Sequence, residues 1–480
     1  MPTITELAAR TPGTRRRHVD LLRVVAISAV VAGHWLVMTV ERDPAGRLTG
    51  FTALTELTAL HPVTWAFQVM PLFFLIGGVA NAISWTRHRA RGGTPGRWLL
   101  DRSARLLPPV TTLLLAVAGG ALVAGWVGVP PPDVAQAVAL VTLPLWFLVV
   151  YLGVVVLTPL AYRWHERYGL VVPAVLLALV VVGDTLRLTT GLEAWALGNF
   201  VVAWVAVHQA GFAWEDGRLR LTPRRAAALL VGSVVALVLL TGPGPYPVSM
   251  VSVPGAAMQN PSPPTVALMT LAAAQVALAA LVAGPAERWL RRTRPWAAVI
   301  GANTVVLTLY LWHMVAALAG ALALDALGAL PSADVRTGAW WLGRVPWVAT
   351  LAVLLAALVA VVGRVETRTT ARALARRTGG PGRGGPRPGE RASVLATLPL
   401  VVGAYLATIL GMFWLASAGQ GPHGPFMVPT GALLLVLGGA ATLRLGRRVT
   451  ASSPSSARGQ ESPRTPVPDG PATVLQRTGT

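Results

Sequence analysis

The chain has 480 residues, of which 54% are hydrophobic and 12% charged, with a mean hydropathy of +0.60, no cysteine and a net charge of +21. That composition excludes an ordinary soluble globular protein and points to a polytopic membrane protein. The missing cysteine excludes disulfides, a thiol nucleophile and a Cys-rich metal site.

Apolar segments of about twenty residues, the length that crosses a bilayer, recur along the chain. They predict an all-α bundle of twelve transmembrane helices near 20–40, 64–85, 106–128, 136–160, 168–187, 194–213, 224–241, 265–283, 297–323, 346–363, 393–416 and 426–445. The first segment starts too polar and lacks a small-residue cleavage site, so it reads as a retained anchor rather than a signal peptide. All 40 basic residues are arginine. Thirty-five fall in the two tails, in alternate loops and at the base of helix one, whereas the other loops hold only Arg42, Arg47, Arg187, Arg336 and Arg344. Basic residues are retained inside, so both termini are expected to be cytoplasmic in a multi-pass cell-membrane protein. Arginine-rich inner loops facing anionic lipid account for the charge without nucleic acid.

Composition divides the chain further. A cytoplasmic tail (1–19) leads into a ten-helix unit (20–370). A basic Gly/Pro-rich linker follows (371–391, "ARALARRTGGPGRGGPRPGER"), then an extra two-helix hairpin (392–448) and a tail of disordered composition (449–480). No internal repeat of the kind common in secondary transporters is apparent.

The first helix carries the most informative residues. In "HVDLLRVVAISAVVAGHW" (18–35), Arg23 and His34 are eleven positions apart, which on an α-helix is about 20° beyond three turns, and Asp20 lies about 40° from His34. The three share one face. With Arg23 at the inner interface, His34 sits about 16 Å deeper, near mid-membrane. An ionisable residue at that depth faces the bundle interior and marks a functional site. Desolvation favours the neutral ring, the form that accepts a proton. Asp20 lies about 21 Å along the helix from His34, too far for a dyad.

These residues resemble the first helix of the membrane-bound acyltransferase 3 family. Further motifs follow in the family's order: "PLFFLIGGVAN" (71–81), "RSARLLPP" (102–109) with its Arg-x-x-Arg-x-x-x-Pro pattern, "LWFLVVYLGVVVLTP" (145–159), "YLWHM" (310–314) and "VGRVETR" (362–368). Together they span about residues 15–370. Many relatives have Ser-Gly after the paired phenylalanines, where this chain has Ile76-Gly77-Gly78.

The resemblance implies transfer of an acyl group, often acetyl, from acyl-coenzyme A to a glycan, lipid or small-molecule hydroxyl, with no bound cofactor. His34 then takes the hydroxyl proton as general base, or first accepts the acyl group itself. Arg23 either contacts the donor or only marks the helix end as a positive-inside residue. Arg102 and Arg105, at i and i+3 near the inner start of helix three, hold its phosphates, unless they are only topogenic arginines. Gly77 and Gly78 serve either close approach of a ligand or helix packing. Asn81 and Gln68 need hydrogen-bond partners within the membrane. His313 either orients a substrate or is a satisfied core imidazole, Trp146 and Tyr151 are expected on the cavity wall or the interface, and Glu366 is expected to pair with Arg364 or Arg368. His18, His88, His165 and His208 read as structural or solvated, and no metal site is visible. The long outer loop 242–264 is either an acceptor lid or a connector. The rival reading is a transporter or flippase of a lipid-linked or polar solute with His34 as proton relay. An amine acceptor is also compatible with His34 as base.

Overall fold

A computed structural model describes residues 4–12, 15–44, 46–331, 333–375, 388–419, 424 and 427–452; the side chains of 4, 5, 7, 364–375, 388–397 and 450–452 lie outside that description. The expected roles of Glu366 and of the linker residues 376–387 fall outside it as well.

In chain order the elements are α1 (Ile4–Ala9), α2 (Arg17–Val37), strands β1 (Met38–Arg42) and β2 (Leu48–Thr52), α3 (Thr64–Phe67), α4 (Met70–Ala90), α5 (Pro95–Trp126), α6 (Pro131–Thr142), α7 (Leu145–Tyr168), α8 (Val171–Thr190), α9 (Asn199–Glu215), α10 (Pro223–Thr241), α11 (Val266–Trp289), α12 (Thr293–Ala326), α13 (Gly338–Ala375), α14 (Pro388–Ser417) and α15 (Thr430–Ser452). Eleven helices among the described residues are long and apolar enough to cross a membrane. The predicted twelfth, α15, carries Arg444, Arg447 and Arg448 in its last turns and is not among them.

Two expected helices are broken. The segment expected at 136–160 divides into α6 and α7 at Pro144, which has no N–H to continue a helix. The carbonyl of Pro144 accepts from the Tyr310 hydroxyl at 2.8 Å. The segment expected at 64–85 divides between α3 and α4. There Gln275 of α11 accepts from the backbone N–H of Leu72 (3.1 Å) and donates to the Gln68 carbonyl (2.7 Å), while the Gln68 amide donates to Met250 (2.6 Å). Side chains thus satisfy backbone groups that a break inside a membrane would leave bare. The first helix, expected to reach residue 40, ends at Val37, and residues 38–52 form an antiparallel hairpin with Val40 opposite Gly50.

Helix C-termini leave carbonyls without partners and carry partial negative charge. At the arginine-rich end, Arg16 donates to the Trp214 and Glu215 carbonyls of α9, Arg17 to the Leu290 carbonyl that ends α11, and Arg218 to the His165 carbonyl of α7. At the other end the loop 242–265 is pinned as a roof. Tyr246 donates to buried Asp184 (2.8 Å), which is also paired with Arg187 (2.7 Å), and Asn260 ties the Pro247 and Ser249 carbonyls to Thr265. Burial, and then the hydrogen bond to the Asp184 carboxylate, push the Tyr246 hydroxyl above the ordinary tyrosine range, so it remains a donor.

Helices α4 and α9 meet through glycine. A Cβ on Gly78 would lie 2.1 Å from the His208 carbonyl oxygen and 2.9 Å from the Gly211 Cα, so Gly78 is a packing position. Gly77 lies against Tyr151, 3.0 Å from where its Cβ would be. The C-terminal hairpin closes in the same way, with Gly411 against Ala432 and Gly439 against Thr408, and it docks on α5 through the Tyr405 hydroxyl, which donates to the Leu99 carbonyl (2.8 Å).

Gly78→Ala is therefore expected to lower stability by about 1–3 kcal/mol through overpacking. Gly153→Ala, where no atom lies within 4 Å of the new methyl, should gain a few tenths to about 1 kcal/mol from helix propensity. Thermal unfolding of the two variants in detergent measures the contrast, and equal melting temperatures would contradict the close contact.

Candidate functional site

The site is built on a parallel pair of helices. Arg23 of α2 donates to the Asn303 side-chain oxygen of α12 (3.2 Å) and to Asp20 (3.1 Å); Asp20 also accepts from Arg15 (2.8 Å), and the Asn303 amide donates to the Asp20 carbonyl (3.0 Å). Eleven residues further along α2 and ten along α12, His34 meets His313. Their ring nitrogens, Nδ1 of His34 and Nε2 of His313, are 3.0 Å apart, with the rings stacked at 5.1 Å and 22°. Trp35 donates to the His313 carbonyl (3.1 Å) and Trp347 to that of Trp35 (3.0 Å), locking α2, α12 and α13 at this level.

The hydrogen bonds assign the tautomers. His313 Nδ1 lies 2.5 Å from the Tyr310 carbonyl, which only accepts, so that nitrogen carries the hydrogen. In the neutral ring Nε2 then accepts, and His34 Nδ1–H is its donor. Nε2 of His34 is left as the lone-pair nitrogen.

His34 lies on the wall of a cavity of about 1720 Å³ that also touches Tyr310, Trp312, Trp146, the β1–β2 hairpin and the roof residues Val251 to Ser262. Thirteen residues of α12, about 20 Å, lie beyond His313 on the side the cavity occupies. The cavity thus joins His34 to the arginine-poor end. Arg23, Arg102 and Arg105 do not line it.

The remaining expected residues divide by location. Trp146 lines the cavity. Tyr151 does not; it stacks on Phe147 at 5.6 Å and fills the notch at Gly77. Arg102 turns inward, donates to the Ala80 carbonyl (3.1 Å) and stacks over Trp98 (5.2 Å), whereas Arg105 is exposed. The two are not brought together on one partner. His18 Nδ1 lies 2.6 Å from the Glu287 carboxylate and His165 Nε2 lies 2.8 Å from that of Asp216.

A polar cluster whose pairing sequence reasoning did not foresee lies beside Gly77. His208, fully buried, accepts at Nε2 from the Asn81 amide (3.0 Å). The Asn81 oxygen, His208 Nδ1 and Arg102 Nε are buried without a protein partner. The available signal was a second intramembrane polar pair, Asn81 on one helix and His208 on another.

A family model described as an acyltransferase domain, the acyltransferase 3 model, matches residues 16–363. No curated protein and no solved structure matches the chain. The matched stretch contains α2 to Gly363 within α13, and so both histidines and the whole Arg23–Asn303 contact.

The Asn81–His208 pair generates a stability prediction. Asn81→Ala and His208→Ala should each cost about 1–3 kcal/mol, because each leaves a buried polar group unmade, and the double variant should cost less than their sum by about 1 kcal/mol. Strict additivity in thermal unfolding would show that the two side chains do not interact.

Proposed function

The chain belongs to the membrane-bound acyltransferase 3 family, and we propose that it moves an acyl group, acetyl in the first instance, from cytoplasmic acyl-coenzyme A to a hydroxyl of a glycan, lipid or small-molecule acceptor. The observation that carries this reading is the His34 ring on the wall of a cavity, with Nδ1 paired to His313, a pairing that assigns the acceptor role to Nε2. As the acceptor oxygen attacks the thioester carbonyl, its proton passes to His34 Nε2. The C–S bond then breaks, the new C–O ester bond forms, and the departing thiolate takes the proton from His34 to leave free coenzyme A. His313 acts through His34. It fixes the ring and tautomer, and its acceptor nitrogen supports the imidazolium, as the third member of a triad does.

The donor comes from the arginine-rich end. Arg102 and Arg23 are its candidate contacts, with Arg105 at the surface to guide phosphate, and the unpartnered polar atoms of Arg102, Asn81 and His208 favour a polar guest near them. The acceptor comes through the cavity from the opposite side. This assignment takes the arginine-rich end as cytoplasmic.

Two measurements test the reading. Transfer from radiolabelled acetyl-coenzyme A into membrane or envelope material should fall by about 10²–10⁴-fold in His34→Ala. It should fall by about 10- to 100-fold in His313→Leu, with part restored in His313→Gln, whose oxygen can accept from His34. Arg102→Ala should raise the donor KM about tenfold or more, the loss of a charge-assisted hydrogen bond of about 1.5–3 kcal/mol. Full activity in His34→Ala would overturn the mechanism. For orientation, the cysteine-free chain permits single-cysteine labelling. Ser252→Cys should react with an impermeant maleimide on intact cells, and Arg97→Cys only after permeabilisation; the reverse pattern would invert the donor and acceptor sides.

A further inference from the structure

The cavity walls are informative about the acceptor. Polar side chains on its lining include His34, Tyr310 and Trp312, Gln68, Gln136 and Thr142, and Arg42, Asp133, Gln259 and Asp325. An apolar part of the lining, the arm, is made by Leu113, Val117, Gly120 and Ala124 of α5, Val138 of α6 and Phe413 of α14. The four α5 residues form one stripe at helical spacing. None of the six offers a side-chain hydrogen bond.

A glycan is hydrated over its whole surface, and burying its hydroxyls against such a wall without partners costs about 1–3 kcal/mol each. An apolar chain needs no partners there and gains about 25 cal/mol per Å² of surface buried. Size points the same way. At about 1720 Å³ the cavity exceeds the roughly 300–1,000 Å³ of an ordinary small-molecule site. Part of the arm comes from outside the matched domain, since Phe413, Leu415 and Ala416 lie in the C-terminal hairpin.

We propose that the acceptor is a lipid, with an apolar chain packed in the arm between α5, α6 and the C-terminal hairpin and a hydroxyl delivered to His34, so that the hairpin serves as the wall that selects for that chain. This rests on the acyltransferase reading above and narrows its acceptor to one class. The hairpin's docking on α5 through Tyr405 and through Arg444, which donates to the Thr111 hydroxyl (2.7 Å), holds that wall against the helix carrying the stripe.

Gly120 provides the test. It lines the arm, and no atom lies within 4 Å of where its Cβ would be, so a side chain can start into the arm there without a clash at its Cβ. Gly119 has the same open surroundings but does not line the cavity, and serves as the control. Membranes bearing full-length wild type, Gly120→Leu, Gly120→Phe, Gly119→Leu or His34→Ala are given radiolabelled acetyl-coenzyme A, and the product is divided into organic-soluble lipid and water-soluble glycan. The expected result is His34-dependent label in the lipid fraction. It should be reduced tenfold or more in Gly120→Phe, less in Gly120→Leu, and unchanged in Gly119→Leu, with equal melting temperatures throughout. A shortened acceptor chain should recover label in the Gly120 variants. His34-dependent label confined to water-soluble glycan, or lipid label indifferent to residue 120, overturns the lipid assignment and leaves the acyltransferase reading standing. No His34-dependent label in either fraction overturns the acyltransferase reading and this proposal with it.

Discussion

The register of α2 against α12 is the constraint on which the site depends. The two helices are parallel and touch at two levels, Arg23 with Asn303 and His34 with His313, separated by eleven residues on one helix and ten on the other. At about 1.5 Å per residue these spans nearly match, so both contacts form at once only in this register. A slip of one turn, about 5.4 Å, would break both and leave a buried imidazole and a guanidinium without partners. The depth of His34 is therefore set by polar contacts, because apolar side chains facing lipid give no reason to prefer one register over another. Trp35 and Trp347, each donating to a carbonyl of the neighbouring helix, extend the same lock to α13.

Charge placement follows a related logic at the two ends. The arginine-rich end uses its surplus on helix C-termini, where Arg16, Arg17 and Arg218 meet carbonyls that the helices cannot satisfy. The five arginines at the opposite end are each engaged. Four face carboxylates, in the pairs Arg42–Asp325, Arg47–Asp43, Arg187–Asp184 and Arg336–Glu56, and Arg344 donates to the Met38 carbonyl just past the end of α2 while stacking over Trp340.

Much of this was legible in the sequence, and the residues show why the rest was not. Hydropathy located nearly every span, because membrane length is a one-dimensional property. The shared face and depth of Arg23 and His34 follow from helix geometry alone, and the ordered motifs anticipated the family that the domain match gives. A hydropathy window does not register the loss of one N–H, so the break at Pro144 was missed, as was the one near Gln68, whose hydrogen bonds come from Gln275 more than two hundred residues away. The pairing of His313 with His34 was equally invisible, since 279 residues separate them. Sequence left Gly78 open between packing and ligand approach. Only the approach of α9 distinguishes them, and it leaves no room for a methyl group. Arg102 and Arg105 share a helical face in projection, yet Trp98 and the Ala80 carbonyl draw the first inward while the second stays at the surface.

The apolar wall also bears on why transfer would outrun hydrolysis. A base beside a thioester activates whatever hydroxyl reaches it, and water is the most abundant. Selectivity must then come from what fills the space around His34 Nε2. A cavity lined mainly by aliphatic side chains for about 20 Å gives water few partners, and an apolar chain seated in it excludes water further. The acceptor would thereby complete its own protection, since the surface that binds the chain is the surface that keeps competing water from His34. A hydrophilic acceptor would bring its hydration shell with it and lose that advantage.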